Sequence, residues 1–283
     1  MAKKKNKNTQ RIYSILKILV IFGFIGILST AFVFAERYVK SMHEAKTGKL
    51  IFENTPVWVN KHLLNQAYKA VGGDCFRLEQ QGLTEAIARR LASVPWLHNT
   101  RVQVAKDSIR VNTKWRRPIG VVKSEYVHFY VDEDLVVLDT VSLDLPIVTI
   151  KGVQFRRKPA SGTVVRTEDL SMAVELLAVL GRMDQKENMS KPLLAEIDRI
   201  DVGNFQGRRN AKKPHIVLFA KDQTPIIWGA ELRAAGKYLQ NSDKTKLANL
   251  YTYYRVYGSL MGNAKYIDLR YSQYEVPIPT SVY

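Results

Sequence analysis

Residues able to do chemistry are few and scattered in this chain. The five histidines stand at positions 43, 62, 98, 128 and 215. They show no His-Glu-x-x-His spacing and no three or four converging ligands of the kind a zinc ion needs. No Gly-x-Ser-x-Gly elbow, Gly-x-Gly-x-x-Gly turn or Walker-type phosphate loop occurs. Ser14 and Lys17 have the Ser-x-x-Lys spacing of some acylating serines, but they border a long apolar run, and chance accounts for the pair. Asp132, Glu133 and Asp134 offer carboxylates to a calcium ion, although three acids at a hairpin tip more often form a solvated turn. Asp198 and Asp201 flank a strand end, where a solvated turn is a better reading than paired catalytic carboxylates. Arg208, Arg209, Lys212 and Lys213 form the one basic cluster, in a loop-like segment that offers cations to phosphate or simply connects two strands. Cys75 is the only cysteine, which excludes an intramolecular disulfide and a cysteine-based metal site. No catalytic residue, metal or cofactor is therefore expected, and function is to be sought in binding.

The elements that would position a binding surface follow from hydropathy and charge. Ile18 to Ala35 carries no charge, with only Ser29 and Thr30 polar. A run of that length predicts a transmembrane helix over residues 18–37. Residues 1–17 form a basic tail containing Lys3, Lys4, Lys5, Lys7, Arg11 and Lys17 and no acid. That bias keeps the tail in the cytoplasm and sends the remainder to the far side. The alternative is a signal peptide cleaved after Ala35, but the apolar run exceeds the usual 7–15 residues of such segments, which favours a retained anchor. The net charge is +17. Outside the tail the basic residues are dispersed, so a nucleic-acid partner is not expected.

Beyond the span, the chain reads as an α+β protein. A strand begins at Leu50-Ile51-Phe52, and a helix follows from Asn60 with Leu63, Ala67 and Val71 on one face. Gly72-Gly73 ends it. A second helix carries Leu83, Ile87 and Leu91 and stops before Pro95. The period then falls to two, in a hairpin of Val102 and Val104, then Ile109, Val111 and Thr113, turning at Lys106-Asp107. This β-α-α-β-β order delimits a first domain over residues 48–118. Residues 119–283 read as a larger mixed β domain with flanking helices. Its strands are expected at Tyr126–Val131, Leu135–Asp139, Leu145–Ile150, Ala195–Val202, His215–Ala220, Pro225–Trp228 and Lys265–Tyr271. Its helices are expected near Thr167–Arg182 and Lys244–Tyr257.

Several passages then carry a resemblance. Leu91, Val94-Pro95-Trp96-Leu97 and Val102 lead out of the second helix. Arg116-Arg117-Pro118-Ile119 leaves the first domain. Val131-Asp132 lies in a hairpin, Leu145-Pro146 precedes Ile150 and Gly152, and Tyr266-Ile267-Asp268-Leu269-Arg270-Tyr271 ends the last strand. In order and spacing these resemble the FtsQ/DivIB family of bacterial cell division proteins, over about Leu50 to Tyr274. Trp115, where the family usually has an acid, and Asp134, where a glycine is common, depart from the pattern.

The resemblance implies a POTRA domain, a β domain and a single-pass protein of the bacterial inner membrane at the division septum. It implies a non-enzymatic scaffold that binds small bitopic coiled-coil division proteins (FtsB/FtsL-like) and other divisome components by strand addition at the C-terminal strand. Tyr271, Ser272 and Tyr274 match the positions the family uses for that contact. Arg270 and Tyr254 are candidates on the same face, and Arg233 and Lys237 are cationic candidates for acidic partner residues. The alternative function is a POTRA-containing envelope protein in protein transport or outer-membrane assembly. The tandem repeats or large barrel usual in that class are not visible.

Overall fold

The computed structural model describes residues 17, 20, 23–38, 46–124, 127–155, 157–187 and 191–271, and the backbone of 275–277. The chain is α+β, with two sheets. The expected transmembrane helix is corrected: among the described residues no helix is long and apolar enough to cross a membrane. The described helical residues of this stretch are 17, 20 and 23–38. Residues 18, 19, 21 and 22 of the expected span, and most of the basic tail, lie outside the described residues.

The first sheet is built from β1 (Thr47–Glu53), β2 (Cys75–Arg77), β3 (Leu97–Val104) and β4 (Ser108–Trp115), in the order β2-β1-β4-β3. Two helices cover it, α1 (Lys61–Val71) and α2 (Leu83–Leu91). Helix α1 starts where the Asn60 side chain accepts from the Leu63 amide at 3.0 Å, which satisfies one of the free N–H groups of a helix start. It ends at Gly72, whose φ of +95° suits glycine. Leu63, Ala67 and Val71 of α1 and Leu83, Ile87 and Leu91 of α2 are buried, and they close on Leu50, Trp96, Ile109 and Val111. Strand β2 has no counterpart among the expected elements, because three residues are too few to show alternation.

The second sheet contains β5 (Gly120–Lys123), β6 (His128–Val131), β7 (Val137–Leu138), β8 (Val148–Lys151), β9 (Ile197–Asp201), β10 (Ile216–Ala220), β11 (Pro225–Gly229), β12 (Ala264–Asp268) and β13 (Glu275–Pro277). Their spatial order is β13-β12-β11-β10-β9-β8-β5-β6-β7. Helices α3 (Glu168–Glu187) and α4 (Asp243–Tyr257) cover one face. Leu170, Val174, Leu177, Leu250, Tyr251 and Tyr254 from the helices join Ile150, Ile200, Leu218, Ile226 and Ile267 from the strands in one core.

The two units share a wall. Val136 and Leu138, from the β6–β7 region of the second sheet, belong to the first core. The Tyr130 ring meets Trp96 edge-on, with centroids 6.3 Å apart. Arg116, just past β4, donates from Nη1 to Asp132 at 2.6 Å and to Asp134 at 3.0 Å. Asp132 also accepts from the Val136 amide at 2.8 Å. Two of the three acids at the hairpin tip are thus committed to Arg116. An Arg116→Met variant leaves the buried Asp132 carboxylate without its cation. The expected cost is about 2–3 kcal/mol in urea unfolding; a change under roughly 0.5 kcal/mol would show that the pair does not join the units.

Candidate functional site

The C-terminal edge of the second sheet is assembled from β11, β12, the loop after β11 and the turn at residues 269–271. Strand β12 pairs in parallel with β11, Ile226 facing Ile267 and Ile227 facing Asp268. Ala264 and Ile267 of β12 are buried, as is Leu269 just past its end. The expected strand Lys265–Tyr271 is therefore shorter at its end. After Asp268 the chain is held by the loop: the Asn241 amide donates to the Arg270 carbonyl at 2.7 Å, and its side chain to the Leu269 carbonyl at 3.2 Å.

Strand β12 is not a bare edge. Strand β13 folds back against it, antiparallel, pairing Ala264 with Pro277, Tyr266 with Val276 and Ile267 with Glu275, with an irregularity between the first two pairs. A three-residue strand containing a proline, which has no N–H to donate, is a weak cover.

Arg270 is the organiser of the turn. Its Nε donates to Asp268 Oδ1 at 3.0 Å and its Nη2 to Oδ2 at 2.7 Å, a fork-like pairing that fixes the guanidinium plane. The guanidinium carbon lies 5.1 Å from the centre of the Tyr271 ring. Tyr271 is 49% exposed and so presents an aromatic face to solvent at the strand's end. Behind Arg270 stands Gly229, with φ +95°; a Cβ there would sit 2.7 Å from Arg270 Cγ. Only glycine lets the arginine stem lie this close to β11.

The other expected site residues fall in different surroundings. Arg233, at φ +67°, faces α3 and forks onto Glu175, with Nη2 2.8 Å from Oε2. The hydrogen bond from Arg233 holds the Glu175 carboxyl below the usual carboxylate range. Lys237 is exposed and its ammonium lies 5.5 Å from the Tyr238 ring centre. Tyr254 is only 3% exposed, and its hydroxyl donates to the Lys191 carbonyl at 3.2 Å. It is a core residue of α4 rather than a surface aromatic, because it shares a helix face with Leu250. Ser272 and Tyr274 lie outside the described residues. Of the expected set, only Arg270 and Tyr271 are seen in contact with one another.

No family model matches the chain, and no curated protein is significantly similar to it.

One group behind the edge escaped sequence reasoning. Lys246, on α4, is fully buried. Its ammonium donates to Gln240 Oε1 at 3.1 Å and lies 5.3 Å from the Trp228 ring centre. Gln240 Oε1 also accepts from the Ala230 amide at 2.9 Å. Burial lowers the Lys246 pKa to about 8; Arg270 adds to the lowering, while Asp243, Asp268 and Glu231 oppose it. The signal in the sequence was its place four residues before Leu250, on the helix face that turns inward.

Proposed function

We propose that this chain is a non-enzymatic scaffold of the bacterial cell division machinery. It binds small bitopic coiled-coil division proteins of the FtsB/FtsL kind, and an extended segment of the partner adds to the second sheet along β12. The observation that carries this reading is the weak covering of β12 by three residues of β13, beside a turn where Arg270 and the exposed Tyr271 are held in contact. A strand edge supplies backbone donors and acceptors at fixed spacing, and an aromatic at its end supplies a side-chain anchor. The partner strand displaces β13, whose proline leaves one donor missing from the pairing. The fork from Arg270 to Asp268 keeps the turn open to the incoming chain.

The test is co-purification of the chain with each FtsB/FtsL-like protein of the same organism, with dissociation constants for wild type and Tyr271→Ala. Loss of the ring is expected to weaken binding at least about tenfold, the usual loss at an aromatic anchor. Failure to bind any of these proteins, or equal binding by the variant, would remove the reading. A fluorescent fusion is expected to collect at the division site.

A further inference from the structure

The helices cover only one face of the second sheet. On the other face, alternation along the strands puts Val217 and Phe219 of β10 and Ile227 of β11, all half-buried and part of neither core. Val217 and Ile227 are direct cross-strand partners, so the three side chains form one apolar floor. The Arg199 guanidinium lies over the Phe219 ring, 3.8 Å from its centre.

A wall rises beside this floor. Residues 203–214 form an ordered loop built around Asn204. Its Oδ1 accepts from the amides of Arg209 and Asn210, both at 2.9 Å, and its Nδ2 reaches the carbonyls of Asn210, Lys213 and Pro214 at 2.9, 3.0 and 3.1 Å. Arg208 clamps the loop inward, donating to Asp169 at 2.9 Å and to the Val202 carbonyl at 2.9 Å. The segment that connects the two strands is therefore tied down by its own side chains. Arg209, Lys212 and Lys213 remain outside the clamp, and among the described residues none of their side chains has an ion pair. Between wall and floor lies a cavity of about 390 Å³, lined by Arg209, Lys213, Val217 and Phe219. The acid that lines it, Asp201, accepts from the Gly203 amide at 2.6 Å.

We infer that this groove is a second docking site, for a peptide segment that carries acidic residues next to a large apolar side chain. The free cations give the charge complement, and the apolar floor gives the anchor. A bare polyanion would use only the first of these and leave the floor wet. The cavity suits one or two side chains of an extended segment. Strand β10 stands two places from β12 in the sheet, so the groove and the C-terminal edge are separate sites, and neither needs the other to exist.

The test selects displayed random peptides of about 12 residues on the full-length chain. Enriched peptides are expected to pair Asp or Glu with Leu, Phe or Trp. Their synthetic forms are expected to bind at least about tenfold more weakly to Arg209→Glu/Lys213→Glu and several-fold more weakly to Phe219→Thr. Tyr271→Ala is expected to bind them as wild type does, which keeps the result independent of the edge. Peptides without acids, or peptides bound equally by the charge variant, would overturn the inference. So would binding of inorganic polyphosphate that depends on Arg209 and Lys213 but not on Phe219, with no peptide selected. Melting temperatures monitor folding; if Phe219→Thr is destabilised, Arg209→Gln/Lys213→Gln decides alone, and unchanged peptide affinity in that variant also overturns the proposal.

Discussion

Replacing Gly152 by alanine is expected to cost more stability than any surface change in this chain, about 2–5 kcal/mol in urea unfolding. Two independent effects combine. Gly152 has φ +83°, a left-handed conformation that costs an alanine on the order of 1–2 kcal/mol. An added Cβ would also overlap the backbone of Gly203 and sit 2.9 Å from Asp201 Oδ1. The obstruction is main chain, not the tip of a flexible side chain, so relief requires β8 and β9 to separate at their ends. That is overpacking, which costs a further 1–3 kcal/mol or so. The same move would pull the Gly152 carbonyl from Arg208, which donates to it, and loosen the loop that walls the groove. A variant that unfolds within about 1 kcal/mol of wild type would show that the two strand ends separate freely.

The opposite sign is expected for Lys246→Met. The folded protein disfavours the charged ammonium, so its pKa falls from 10.5 to about 8. Below pH 8 the group is protonated in both states and the folded state carries the whole penalty, about 3 kcal/mol at roughly 1.4 kcal/mol per pKa unit. Between pH 8 and 10.5 the unfolded chain holds more protons than the folded one. Wild-type stability therefore rises with pH through that window, and above it the penalty is gone. Methionine fills similar volume without the charge, and Gln240 keeps its bond from Ala230. The variant is expected to gain up to about 3 kcal/mol near pH 7, with the gain shrinking towards zero by about pH 10.5. A stability difference that is flat in pH would show that the ammonium is solvated in the folded protein.

Periodic, locally encoded features were the most legible in the sequence. Leu63, Ala67 and Val71 announced α1 because core burial repeats every 3.6 residues, and Ile109, Val111 and Thr113 announced β4 because it alternates. Gly152 stood in one of the passages that carried the family resemblance, and its crowding against Gly203 gives that position a physical reason. Three short strands were lost, β2, β5 and β13, each of four residues or fewer and too brief to show a clear alternation against its flanks. Strand β13 was further hidden by Pro277, since proline usually argues against a strand. The apolar run at Ile18 to Ala35 announced a span by hydropathy alone, and among the described residues no helix is long and apolar enough to cross a membrane. Lys246 was passed over because charge is normally a surface signal. Tyr254 was misplaced because an aromatic-rich helix does not reveal which of its rings turn inward. At the candidate edge, Arg270 and Tyr271 were legible as types, but the fork onto Asp268 depends on a turn that no spacing predicts. Arg208 and Arg209 are adjacent in sequence, and only the fold separates one as a clamp from the other as a free cation.

The shared wall between the two units has a mechanical consequence. Val136 and Leu138 are lodged in the first core while their neighbours Val131 and Val137 belong to the second, so among the described residues the seam between the units is packed rather than open. Rotation of one against the other would expose both sets of side chains at once. Whatever holds the first unit therefore also bears on the second, through Leu138 and the Arg116–Asp132 pair.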